Sequence, residues 1–585
     1  MIADIRKVKA SLSPLNTRLH TVSAGIESEL DFALLEFLMI KTNAPDQSLA
    51  SDLVRGMPLS GHVAAAGSLR NRKTACPTSV SDLRTHLRKN NDKIIKNLRR
   101  QSESDRSLAF EMTLNEIRQN MIGPVRHVNE DDLNNLIMTP RFIVHQDKPR
   151  LIDNLKSSRV NETTSCEDTY VPDTLDRLIC QIRAFRNELS RCGRSPEVRA
   201  FSFDFKSAYK HIAIEENSLE VANIVILDPT SLLPLTAPML CQPFGSALSP
   251  RNWGRVVEAI KFLNRSLFAI SSFCFVDDVF ACEPAETVES AYATTAEFAR
   301  ILGFRIHKLT PPTTSLRLLG ADLTILPGKV SVRNPADRIS RIKSEIARVL
   351  NENKMSPALA SSIRGKLSFA QSLLFGRVGR CHFHGLIARQ YSTRPRTTLD
   401  EPLTADLKWW FKNLERIPTR FVPTSHAANH LVYSDASKEN SSGLGTIIIP
   451  AGSCEPWPAF AGAPPDWLRE ADIFTLELLA AAMALWQLSL HAKDGVVLIF
   501  IDNTAAASAL IRGTTKNETP RAIIEAFWTT CLRTRLIPWI EVVRSENNPA
   551  DAPSRNECAK IGLKMTLPEP DWVASKEKLL RYCHF

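Results

Sequence analysis

From residue 106 to about 325, short runs of β-branched and aromatic residues alternate with helical stretches, the pattern of an α+β domain. VRAFSFDFKSAYKHIAI (198–214) predicts a buried strand ending at Asp204 and a tight helical turn after it. SSFCFVDDVFACE (271–283) predicts two short apolar strands joined by a turn at Asp277–Asp278. Between them, CQPFGSALSPRNWGRVVEAIKFLNRSL (241–267) predicts a turn at Pro243–Phe244–Gly245, then a helix with Pro250 at its start. Trp253, Val256, Val257, Ile260 and Leu263 form that helix's apolar stripe, with Arg251, Arg255 and Lys261 facing elsewhere. Residues 326–395 read as helical and basic. Residues 396–428 read as a linker, with Pro402, Pro418 and Pro423 around a Trp409–Trp410 helix. Residues 429–556 repeat strand, strand, helix, strand, helix, as in a compact α/β domain. The first 105 residues and the tail 557–585 carry weaker patterns.

At 585 residues the chain exceeds one hydrophobic core, and 44% hydrophobic with 23% charged residues is ordinary globular composition. Lys plus Arg (73) exceeds Asp plus Glu (63), which suits a polyanionic partner without requiring one. The excess is densest in SDLRTHLRKNNDKIIKNLRR (81–100), with seven basic residues against two acidic. This segment reads equally as a solvated helix face or as a helix lying along phosphates. The 12 cysteines include no C-x-x-C pair, and reduced, intracellular thiols are expected. Cys381, His382 and His384 lack a second ligand pair for zinc and read as a helix surface near nucleic acid. The N-terminus lacks a signal-peptide core, and TLELLAAAMALWQLSL (475–490) is too short to span a membrane. A soluble, cytoplasmic or nuclear protein is expected.

Candidate chemistry comes from the acids that end apolar segments. Asp-Asp is an acceptable turn, so Asp277–Asp278 alone would fit a surface hairpin. Asp204 ends an equally apolar strand, and if the strands are neighbours, three carboxylates converge. A second series follows: Asp435 near a strand end, Glu477 within an apolar helix, Asp502 after a β-branched strand and Asp551 at a helix start. A buried, unpaired mid-helix Glu is costly. Each group suits two divalent cations, Mg²⁺ with hard oxygen ligands or Mn²⁺ in its place, able to activate an attacking oxygen and stabilise a leaving one.

In order, these segments resemble the polymerase motifs of reverse transcriptases: FDFKSAYKHI the first, QPFGSALSP the second and FVDD (275–278) the third. KPRLIDNLKSSRVN (148–161) resembles the fingers strand, LGFRIHKLTPPTTSLRLLGADL (302–323) the lysine motif and primer grip, and GKLSFAQSLLFGRVGRCHFHGL (365–386) the thumb helices. The second acidic series resembles a ribonuclease H domain. The resemblance implies a right-hand polymerase, with an N-terminal extension (1–105), fingers and palm (106–325) and thumb (326–395). A connection (396–428) and a ribonuclease H-like α/β domain (429–556) would follow. It implies metal-binding by Asp204, Asp277 and Asp278, with Asp204 and Asp277 the essential pair. Arg150 would hold the incoming triphosphate, with Lys148 assisting. Tyr209 would exclude the ribose 2′-hydroxyl, and Phe244 and Gly245 would lie beside the nascent base pair. Asp435, Glu477, Asp502 and Asp551 match the nuclease tetrad. The implied partners are an RNA template, a DNA primer, an RNA–DNA hybrid and deoxynucleoside triphosphates.

Three departures stand out: Phe275 replaces a common tyrosine, Phe244 replaces the retroviral glutamine, and no histidine lies between Asp502 and Asp551. The last motif, ENNPADAPSR, resembles tyrosine-recombinase (DIRS-class) retrotransposons or plant pararetroviruses. Two other readings stay open. A viral RNA-copying polymerase would share the paired-aspartate hairpin without usually carrying such a nuclease. A domesticated nucleic-acid-binding scaffold would typically have lost catalytic acids, and here all seven are present.

Overall fold

A computed structural model describes residues 1–12, 29–145, 149–373, 377–393, 397–417, 419–424, 428–438, 443–452, 459–558 and 567–583. Lys148, Pro418 and the glycine-containing turn ahead of Gly443 lie outside these, in whole or part. The chain is mixed α/β and divides into two compact units, Met1–Leu319 and Gly320–Phe585.

In the first unit, the Asp204 strand (Val198–Phe205) lies inside a four-stranded sheet between Asp278–Pro284 and Ile306–Thr313, with Ser272–Phe275 outermost. Phe201, Phe203 and Phe205 on one face pack against helical residues such as Trp253, Phe298 and Ala291, while Ser202 and Asp204 alternate with them on the other face and are buried as well. The stripe residues Trp253, Val256, Val257, Ile260 and Leu263 are buried, as expected. Arg251 and Arg255 are buried too, which corrects their reading as facing away from the core. The Arg251 guanidinium meets Asp168 at 2.7 Å, and Arg255 meets Asp46 at 2.8 Å and Asp52 at 2.7 Å. Lys261 is half-buried, 2.7 Å from Asp173. Paired charges satisfy one another inside the fold, where hydropathy alone assigns them to solvent.

The first 105 residues contribute to this core. The helix Phe32–Lys41, capped by the Asp31 side chain, buries Phe32, Leu34, Leu35 and Leu38 in one cluster with Phe203, Phe205 and Trp253. The basic segment is two helices, Val80–Arg84 and Leu87–Leu98, the second seated by Leu87, Ile94, Ile95 and Leu98. Lys89, Lys93 and Lys96 are exposed, whereas Arg88 is engaged by Asp92 and Glu130.

In the second unit, Ala321–Leu326, Lys329–Arg333 and Arg420–Pro423 pair antiparallel, so the stretch expected as wholly helical contains a strand. The expected linker is packed: helix Glu401–Asn413 buries Leu403, Leu407, Trp409 and Trp410. A five-stranded sheet follows, ordered Phe460–Gly462, Gly443–Pro450, His430–Ser437, Gly495–Ile501, Leu536–Val542. Only its last two pairings are parallel. The apolar segment 475–490 is the buried helix Ile473–Ser489 against this sheet, and among the described residues no helix is long and apolar enough to cross a membrane. The tail closes the same core through Trp572, Val573 and Leu579.

The Cys381–His384 segment, expected as a helix surface near nucleic acid, is mostly packed inward, with only His384 exposed. The Cys381 thiol is buried, and the His382 ring stacks on Trp409 at 4.2 Å while its Nε2 lies 2.7 Å from Glu525. Burial pulls the His382 pKa down, but the Glu525 and Asp406 carboxylates outweigh it and raise the value to about 9. Protonated His382 therefore stabilises this unit fully below about pH 6.5, and the contribution is lost as pH rises through about 9. The loss is on the order of 3 kcal/mol at most. Thermal unfolding midpoints of the parent and of His382→Gln should converge across that window. Midpoints that keep a constant separation would refute the charge assignment.

Candidate active sites

Asp204 and Asp278 are direct cross-strand partners, and the Phe205 amide donates to the Asp277 carbonyl at 2.8 Å, so the three expected acids do converge. Asp278 opens its strand, and the tight turn is at Val276–Asp277, one residue earlier than expected. Val276 has φ +59°, a strained value for a β-branched residue, and the Trp253 indole donates to its carbonyl. The Asp173 carboxylate accepts from the Cys274 amide at 2.9 Å and the Tyr170 hydroxyl donates to the Cys274 carbonyl at 3.0 Å, bracing the sheet's outer strand.

The electrostatics are those of crowded carboxylates. Burial, then the Asp204 carboxyl beside it, raises the Asp278 pKa. Asp277 reaches solvent at the tip, yet its pKa is also raised, by burial and then by Asp204, with Arg150 and Lys308 acting in the opposite direction. Arg150, exposed at the start of its strand, thus lies in the field of Asp277. Lys308, not singled out from the sequence as a site residue, donates through Nζ to Asp204 Oδ2. It gets there through φ +49° at a register shift of its strand, an irregularity no periodicity reveals.

The Tyr209 ring, on the turn after Asp204, lies 5.0 Å from the Phe244 ring, and its pKa is pushed up to about 12 by burial and Asp277. Gly245 has φ +113°, and a Cβ there would sit 2.1 Å from the Asp153 carbonyl oxygen, so only glycine fits this approach. Asn161 clamps the loop, donating to Gly245 O at 3.0 Å and accepting from Ala247 N at 2.8 Å.

The second cluster forms around the central strand of its sheet. Asp435, Glu477 and Asp502 bring carboxylate oxygens within 4.8 Å of one another. Asp551 stands outside this trio, paired with Arg555 at 3.0 Å, though its charge contributes to a raised Asp435 pKa whose main cause is burial. The short helix bearing Asp551 packs directly over Gly443 and Gly445, where a Cβ would come within 1.9 Å and 2.4 Å of its backbone or its lead-in. Ser554 from that helix donates to Asp435, and Asn548 donates to the Ser434 carbonyl at 3.0 Å. In the segment ahead of Asp551, Ser545 donates to Asp502 Oδ2 at 2.8 Å.

Burial, then the Asp435 and Asp502 charges, pushes the Glu477 pKa up to about 9, and its Oε2 is buried without a hydrogen-bond partner. An orphaned carboxylate oxygen facing two more acids is the donor set of a hard divalent cation. The residues fit that group.

No protein-family model matches the chain, and no curated protein does. Among solved structures it is similar to the foamy viral protease-reverse transcriptase in complex with double-stranded DNA. That match has 14% identity and a TM-score of 0.39, over 92% of this chain and 97% of the other. It is similar also to the form of that protein designated dRH, bound to double-stranded DNA, at 14% identity and a TM-score of 0.39, over 74% and 69%.

Proposed function

We propose that this chain is a retroelement RNA-directed DNA polymerase whose second acidic cluster degrades the RNA strand of RNA–DNA hybrids. The carrying observation is the register that sets Asp204 against Asp278, with Asp277 at the adjoining tip and the Tyr209–Phe244 pair alongside. Asp204, Asp277 and Asp278 would hold Mg²⁺ in the first unit, and Asp435, Glu477, Asp502 and Asp551 in the second. When bound, the cations supply activation of the attacking oxygen and stabilisation of the leaving one. The protein's own groups do the rest. Arg150 draws the triphosphate towards the acids, with Lys148 assisting, and Lys308 offsets the charge of Asp204. Tyr209 closes the space below the sugar, and Phe244 and Gly245 border the base. In the second cluster, Ser554 and Ser545 orient Asp435 and Asp502. The form of the last motif favours a DIRS-class or pararetrovirus-like element. Primer extension on an RNA template, run beside cleavage of a labelled hybrid, tests both halves. A parent protein inactive in extension would leave the scaffold reading in its place, and one that incorporates only ribonucleotides would favour the RNA-copying polymerase.

Tyr209→Ala should keep DNA synthesis but lower the ratio of kcat/KM for deoxy- over ribonucleotide by about ten- to a hundred-fold, because alanine opens space for the 2′-hydroxyl. An unchanged ratio would reduce Tyr209 to packing. Neutralising Lys89, Lys93 and Lys96 should weaken template–primer binding regardless of sequence. The slope of log K against log salt should shrink by about 0.9 for each duplex phosphate that is no longer neutralised. Arg88→Gln, whose charge is already occupied, should leave the slope in place. Identical slopes for parent and triple variant would make this helix a solvated face.

A further inference from the structure

Four buried or half-buried charges join the two loops that border the nucleotide position. Arg141, 1% exposed, donates through Nε to Asp153 at 2.7 Å and through its terminal nitrogens to Thr113 Oγ1, at 2.9 Å, and to Glu116 Oε2. Glu116, on helix Glu103–Arg118, turns its other oxygen to the Lys210 ammonium at 3.5 Å. Lys210 is buried and follows Tyr209 directly. At the other end, the Asp153 amide donates to the Phe244 carbonyl at 3.0 Å, and the Asp153 carbonyl is the atom that leaves no room for a Cβ on Gly245. The circuit closes where the Tyr209 ring meets Phe244.

Two cations and two anions balance as a set. Arg141, Asp153 and Lys210 are buried and Glu116 is half-buried, so exchanging a partner for water is costly and the set keeps its geometry. Glu116 is the joint: its Oε1 holds the Tyr209 turn and its Oε2 holds the strand beneath the Phe244–Gly245 loop. We infer that Glu116 is a positioning residue that sets the width of the slot between Tyr209 and Phe244–Gly245, and so tunes the choice of nucleotide sugar. The inference rests on the polymerase reading above for its consequence, though not for the coupling itself.

A purely structural role requires charge balance alone, whereas positioning requires the bridge. Glu116→Gln should lower the deoxy-over-ribo ratio of kcat/KM roughly ten-fold, the scale of a sub-ångström misplacement. KM for the deoxynucleotide should rise more than kcat falls. The double variant E116Q/K210M removes the stranded cation, so it should regain thermal stability without regaining selectivity. A ratio unchanged in Glu116→Gln, or restored by the double variant together with its melting temperature, would overturn the inference. Hydrogen–deuterium exchange decides the coupling without any turnover: Glu116→Gln should speed exchange at 207–212 and 242–247 together. Faster exchange confined to 103–118 would overturn it. A parent that extends no primer would refute the polymerase reading, and this exchange measurement would still decide whether Glu116 couples the two loops.

Discussion

Asp204→Ala and Asp277→Ala are each expected to lower primer extension by roughly a thousand-fold or more, the scale for removing a group that stabilises transition-state charge. Asp204 faces Asp278 across one register position, with Asp277 at the adjoining turn, and neither variant leaves a full set of three acids at this sheet edge. Loss of activity through unfolding is testable, because the physics predicts its opposite. Burial and mutual repulsion raise the pKa of Asp277 and Asp278, so ionising these acids near neutral pH costs the folded state free energy. Removing one carboxylate relieves that cost, and the metal-free variants should melt no lower than the parent. Near-normal extension by either variant in Mg²⁺ would sink the assignment.

Asp502→Asn should abolish cleavage of the RNA strand in a hybrid while leaving extension on an RNA template close to the parent's, and Asp278→Asn should do the reverse. Each cluster takes all its acids from one compact unit, so neither lends the other a ligand. Asparagine keeps the shape of Asp502 and its contact with Ser545 while removing the charge a divalent cation needs. If the proposed nuclease reading holds, a serine beside Asp502 in place of an ionisable imidazole should make cleavage slow or mainly dependent on Mn²⁺. If the parent cleaves no hybrid with either metal, the second cluster positions a strand and hydrolyses nothing. If Asp502→Asn also halts extension, the two clusters are not separable.

Six of the seven acids were legible because each interrupts or ends an apolar run, whereas Asp551 was read only from a helix start and the wording of its motif. Strand and helix identity around them followed from the same runs. What hydropathy hid were charges satisfied by distant partners. Arg255 finds Asp46 some two hundred positions away, and Glu116 finds Arg141 and Lys210 on separate elements. Lys308 depends on a strand irregularity, and His382 on stacking against a tryptophan from a segment that read as a linker. Local pattern reports burial well when burial is apolar, and misassigns it when ions are buried in pairs.

The helix of Trp409 and Trp410 has a consequence for how such proteins can be cut and recombined. Its tryptophans belong to the same continuous core as the sheet that carries Asp435, and His382, Arg377 and Cys381 make polar contacts to the helices behind that sheet. A break at residue 428 would thus tear apolar surface from both halves, exposing the kind of patch that drives aggregation. Chimeras joined at 428 should therefore precipitate.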